Sequence, residues 1–259
     1  MSLFVVAHGA WSAGWAWKKM HPLMRAQGHQ LVTPTYTGLG ERAHLAHAGV
    51  DLETHIADIV GVLEMEDFRD VFLIGHSYGG MVATGVADRA RERIAALIYI
   101  DAFAPRDGDS VFSVLPPEAR AQRQPIASNG GEAWQIPPSP LPADTSEGDR
   151  VWATPRRRPQ PVKAFEQALR LHRGEPTMPR HYIYCSRHSP DDRFRQFYER
   201  AGREGWGRDT IDASHNAHVT APNALADMLH RIASGISGLT DLRGLPQPAS
   251  STISGAATT

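Results

Sequence analysis

The stretch Val71 to Gly80, VFLIGHSYGG, constrains the fold more than any other part of this chain. Its four opening apolar residues, Val71, Phe72, Leu73 and Ile74, suit a strand buried on both faces of a parallel sheet. They run into Gly75-His76-Ser77-Tyr78-Gly79, a G-x-S-x-G pattern, followed by Gly80 and a helix-like run over 81–88. Strand, sharp turn and helix are the setting in which this pattern forms a nucleophile elbow. The serine stands at the apex of a strained turn, and small neighbours let strand and helix approach closely. Ser77 Oγ is thereby held above the sheet near a helix N-terminus, where backbone N–H groups favour a developing negative charge.

The 259 residues, 41% hydrophobic, suffice for one substantial core. A net charge of −1 leaves no broad basic field for nucleic acid or an anionic membrane. The dense basic run Arg156-Arg157-Arg158 is flanked by Pro155 and Pro159 and reads as a solvated loop. A single cysteine, Cys185, lies in an apolar-rich run and reads as a buried structural thiol; no internal disulfide can form. The start of the chain reads directly as a strand without a secretory leader, and no apolar run reaches the length of a membrane span. A cytoplasmic enzyme is the expectation, with a homodimer as one assembly it can adopt.

Taken in order, strand patterns fall at 3–7, 30–33, 70–74 and 94–100, and helix patterns at 15–27, 51–66 and 81–88. Pro22 argues against one straight helix over 15–27. Asp51 is a candidate N-cap for a helix whose stripe is Leu52, Ile56, Ile59 and Leu63. The alternation predicts a parallel sheet with covered faces. It breaks over 105–179, where prolines crowd and two short helices are expected near 118–124 and 162–172. Trp134, Val151, Trp152, Phe165 and Leu169 supply apolar material, so the excursion reads as a lid. Strand and helix patterns resume at 181–185, 192–202, 208–212 and 222–233. The expected organisation is a core of 1–104 and 180–238, a helical lid of 105–179 inserted after the strand that ends at Asp101, and a flexible tail of 239–259. The fold class is α/β, with a mostly parallel sheet of about six strands and helices on both faces.

A serine hydroxyl needs a base within hydrogen-bond reach. In this chain order the base comes from a loop beyond the last strand, where Ser214-His215-Asn216-Ala217-His218 stands. His215 is the candidate, since it leaves the strand-end loop first. His218 is its rival, to be read otherwise as a pocket-facing or structural histidine. The chain has 13 histidines, so position rather than residue type carries the choice. The oxyanion hole requires two backbone donors: Tyr78 N–H, directly after the nucleophile, and Ala10 N–H in the loop after the first strand. Gly9 lets that loop come close, and Trp11 is placed to wall a pocket. Trp11, Phe103, Phe112, Trp134, Trp152 and His218 are the candidate substrate contacts.

HGAW at 8–11, GLGER at 38–42, GHSYGG at 75–80 and SHNAHVTAP at 214–222 resemble the α/β-hydrolase fold. More narrowly, they resemble its esterase/hydroxynitrile lyase-like branch, which includes plant methylesterases and bacterial carboxylesterases such as pyrethroid hydrolases. The resemblance covers about residues 3–235. In the lyases of that branch a threonine follows the first histidine of the early loop, and a lysine follows the catalytic histidine; here those places hold Gly9 and Asn216. The resemblance therefore implies an esterase before a lyase. It also implies an aspartate shortly after Cys185, but the matching place holds His188, with Asp191 and Asp192 close by. The other position known for the acid in this fold, the end of the strand after the nucleophile strand, holds Asp101. Asp101 is the first choice, with Asp191 and Asp192 as alternatives.

These readings combine into a serine hydrolase with no cofactor or metal, opening a small to medium apolar carboxylic ester through an acyl-enzyme. A hydroxynitrile lyase-type C–C cleavage and a small-molecule receptor without turnover are the rival readings. A carboxylate at 77, as a dehalogenase or epoxide hydrolase needs, is absent, and Gly38-Leu39-Gly40 does not continue into a phosphate loop.

Overall fold

Six strands, β1 (Leu3–Ala7), β2 (Gln30–Val32), β3 (Val71–His76), β4 (Ile94–Ile100), β5 (Arg180–Cys185) and β6 (Gly207–Ile211), form one sheet. Their order is β2-β1-β3-β4-β5-β6, and every neighbouring pair is parallel. The structure, a computed structural model, describes residues 1–127, 133–187 and 192–243. Alternate residues of a strand point to opposite faces, and here both faces are apolar. Phe4 and Val6 join one core cluster while Val5 and Ala7 join the other; Phe72 and Ile74 part from Val71 and Leu73 in the same way. A sheet apolar on both sides must be covered on both sides. Helices Leu52–Met65, Gly79–Arg89 and Arg195–Arg203 pack on one face, and Met20–Ala26 and Pro222–Arg243 on the other.

The pattern expected over 15–27 divides into a 3₁₀ turn, Gly14–Trp17, and the helix Met20–Ala26. Pro22 falls in the first turn of that helix, where an N–H has no intrahelical partner to lose. The last helix runs ten residues beyond the expected stop at 233, so the tail expected from 239 begins as helix. A nucleated helix propagates at little cost per added residue. The rest of that expected tail, from 244, lies outside the described residues.

Between β4 and β5 the excursion is not purely helical. It carries short helices Val111–Val114, Pro117–Ala121, Glu147–Ala153 and Lys163–Glu166, and a three-stranded antiparallel sheet of Ile126–Ala127, Ala133–Ile136 and Gln160–Pro161. The helix expected over 162–172 is four residues long. Trp134, Phe165 and Leu169 pack against the core, whereas Val151 is exposed. Cys185 is buried in the core, and burial pushes its thiol well above the usual range. Among the described residues no helix is long and apolar enough to cross a membrane, and no group of three or more His, Cys, Asp or Glu side chains is placed to hold a metal ion.

Candidate active site

β3 is buried along its whole length and ends at His76; the chain then turns into helix Gly79–Arg89 within two residues. Ser77 has φ 56°, in the left-handed region that a non-glycine residue occupies at a cost of about 1–3 kcal/mol. Its neighbours hold it there. Ser77 N–H donates to Ile100 O (3.3 Å), and Ser77 O accepts from Phe103 N–H and Gly80 N–H, each at 3.1 Å. The glycines permit the approach. A Cβ at Gly79 would stand 2.0 Å from Ala7 O, and one at Gly80 would stand 1.8 Å from Phe103 O.

His215 lies in the loop beyond β6. Its Nε2 is 2.9 Å from Ser77 Oγ and its Nδ1 is 2.6 Å from Asp101 Oδ2. A carboxylate only accepts, so Nδ1–H donates to Asp101 and Nε2 accepts the serine proton. Asp101 directly follows β4, at φ 42°, with its side chain almost wholly buried. Its other oxygen receives Cys185 N–H at 3.4 Å. A buried carboxylate is tolerable when both oxygens find donors, and here one donor is the imidazole. Asp192, by contrast, accepts from Tyr184 OH (2.6 Å) and pairs with Arg195 (2.8 Å). Asp191 and His188 lie outside the described residues.

The oxyanion loop passes so close to the elbow that a Cβ at Gly9 would lie 2.8 Å from His76 Nδ1 and 3.2 Å from Ser77 Cβ. Ala10 N–H and Tyr78 N–H find no acceptor among the described residues. Two free donors thus flank the serine.

The aromatic candidates part company. Half-buried Trp11 donates its indole N–H to Ile136 O (3.0 Å) and its backbone N–H to Gln160 Oε1 (3.3 Å), which ties it to the lid sheet. Trp134 is half-buried in the same small sheet. Phe103 is a core residue, packed edge-on against Phe194 and Phe197. Trp152 packs edge-on against Trp15 at 5.1 Å with Arg156 over its ring. His218, read from sequence as a pocket-facing or structural histidine, has the structural role in place of a substrate contact. It is buried, stacked on Trp17 at 4.5 Å and 10°, with His76 edge-on at 4.6 Å. Burial lowers its pKa to about 3, so it is a neutral packing residue. Arg157 also departs from expectation: its guanidinium lies over the Trp11 ring and bonds to Ser139 O, and burial lowers its pKa to about 10.

Sequence reasoning missed three neighbours of the site. Phe194 stacks face to face on His215 (4.9 Å, 5°). His76 donates Nε2–H to His215 O at 2.8 Å, linking elbow and histidine loop. Gln160, fully buried, holds the Trp11 backbone. His76 was legible as an elbow residue, but nothing in its spacing told where its ring would turn.

The sequence matches the alpha/beta hydrolase family over residues 4–228. It is similar to the carbendazim hydrolyzing esterase of Nocardioides sp. (strain SG-4G), 40% identical over 245 residues that span 88% of this chain and 98% of that protein. Methylesterase 2 of Arabidopsis thaliana is 28% identical over 113 residues, 39% of this chain and 40% of the relative. Among solved structures, an extracellular alpha/beta-hydrolase from a Paenibacillus species superposes with a TM-score of 0.74 at 24% identity, covering 89% of this chain and 98% of the other.

Proposed function

The chain belongs to the alpha/beta hydrolase family, and from that premise we propose that it is a serine carboxylesterase-type hydrolase that cleaves small to medium apolar carboxylic esters through an acyl-enzyme. The observation that carries the reading is the continuous hydrogen-bonded line from Ser77 Oγ through His215 to Asp101, at 2.9 Å and 2.6 Å. His215 takes the serine proton as Oγ attacks the ester carbonyl. The free Ala10 and Tyr78 N–H groups receive the tetrahedral oxyanion. His215 then protonates the leaving alcohol and activates water to release the acid. Asp101 keeps the imidazole in the tautomer with Nε2 open and stabilises its charged form.

The 40% identical relative is an esterase by name, which supports ester cleavage. Half-buried Trp11, Phe112 and Trp134, on the early loop and lid, suit an apolar substrate. Gly9 and Asn216, in place of the lyases' threonine and lysine, disfavour cyanohydrin cleavage. The test is Ser77→Ala. Hydrolysis of a short-chain p-nitrophenyl ester should fall at least about 10⁴-fold, with the melting temperature retained and labelling by a fluorophosphonate abolished. Undiminished turnover by that variant would refute the mechanism.

A further inference from the structure

The stretch GLGER at 38–42 and two buried histidines have no part in the chemistry above, yet they meet behind it. The Tyr36 ring packs against two imidazoles, His8 at 3.9 Å and His55 at 4.7 Å. Each imidazole bonds to one of the two segments that carry the oxyanion donors. Tyr36 N–H donates to His8 Nε2 (3.2 Å), so the His8 proton sits on Nδ1 and is given to Gly9 O at 2.9 Å, one residue before Ala10. On the other side His55 gives Nε2–H to Thr37 O (3.1 Å), which leaves Nδ1 to accept Tyr78 OH at 2.8 Å. In both rings the partners dictate the neutral tautomer. Burial agrees, lowering His8 to about 3 and His55 to about 4.

The loop that carries Tyr36 and Thr37 is itself clamped. Asp58 accepts from Thr37 N–H (2.6 Å) and Thr37 Oγ1 (2.9 Å). Arg42, the last residue of GLGER, donates to Asp58 (2.8 Å), Thr35 O (2.9 Å) and Thr37 Oγ1 (2.8 Å). The two donors of the hole come from loops about 70 residues apart in sequence, and this network joins both to a single support.

We propose that loop 35–42 is the common mount of the oxyanion hole, and that His8 and His55 are positioning residues which hold Ala10 N–H and Tyr78 N–H at one fixed separation. The proposal rests on the esterase reading for its catalytic consequence and on geometry for its structural one. Oxyanion donors act only if they are fixed before charge develops. A side-chain hydroxyl anchoring the very residue whose backbone N–H is needed is a direct way to fix one.

Two variants of the full chain test this. His55→Phe keeps a ring beneath Tyr36 but removes the bonds to Tyr78 OH and Thr37 O; Tyr78→Phe removes one oxygen. In His55→Phe, hydrogen exchange at the hydrogen-bonded Tyr36 and Thr37 amides of the mount should speed up about tenfold or more, beyond any change in global stability. The kcat for p-nitrophenyl acetate should fall about 10- to 100-fold with KM little changed, because the loss is felt in the transition state. Tyr78→Phe, which also breaks the bond to His55, should reproduce the fall in kcat, and it decides the matter if His55→Phe does not fold. Folded variants in which both exchange and kcat stay within about twofold of the parent overturn the proposal. If the parent itself hydrolyses no ester and reacts with no phosphonate, the esterase reading fails instead, and amide exchange alone decides whether the mount exists.

Discussion

Asp101 shows how one residue is chosen from several of the same type. Three aspartates are available in sequence; among the described residues it is Asp101, leaving β4 in a left-handed turn, that bonds to His215, while Asp192 bonds to Tyr184 and Arg195. Asp101→Asn should therefore lower kcat by about 10⁴-fold, since an amide holds the imidazole in the wrong tautomer. Asp192→Asn should stay within about threefold, in the same steady-state ester assay. Glycine at 80 is required for a steric reason. A Cβ there would stand 1.8 Å from Phe103 O, a backbone atom, so the backbone itself would have to shift. Gly80→Ala should destabilise the fold by about 3 kcal/mol or more, read from a urea melt.

At the scale of elements, helix Leu52–Met65 is the one most completely readable. Its apolar stripe is buried, and in a capping box Asp51 Oδ1 accepts from Thr54 N–H (2.9 Å) while Thr54 Oγ1 accepts from Asp51 N–H (3.4 Å). The same helix carries His55 to the back of the oxyanion hole, so the cap also bears on the site. Asp51→Ala should cost about 1 kcal/mol, a fall of about 2–4 °C in melting temperature by calorimetry. The lid elements were read least well. Segments of two to seven residues carry too few periods for a pattern to emerge, and they are held by contacts distant in sequence, such as Trp11 on Ile136 and Gln160.

For the whole molecule, the imidazoles of His8, His55, His76 and His218, each at most 3% exposed, make folding sensitive to acid. Burial is the main cause in each; it lowers His8 and His218 to about 3, His55 to about 4 and His76 well below its ordinary value. Unfolded, each binds a proton near pH 6.5. The unfolded chain therefore holds more protons than the folded one between about pH 6.5 and pH 3, so stability is full above that window and is lost as pH falls through it. Urea melts from pH 7.5 down to pH 4.5 should show uptake approaching about four protons on unfolding, a slope of about 1.4 kcal/mol per proton per pH unit. A flat profile over that range would mean the imidazoles are already charged, or solvated, in the native state.

Local pattern alone determined the sheet, the elbow, and the serine and histidine of the proton line. Apolar runs of strand length, small residues around Ser77 and a histidine beyond the last strand are properties of neighbouring residues, and parallel-sheet topology then brings Ser77 and His215 together from 138 positions apart. Tertiary structure decided what depends on side-chain direction: which aspartate meets His215, that His218 turns into the core against Trp17, and that Tyr78 and Gly9 hang from one buried loop. Those outcomes follow from hydrogen-bond partners and packing supplied by distant segments, whose directions no spacing along the chain encodes.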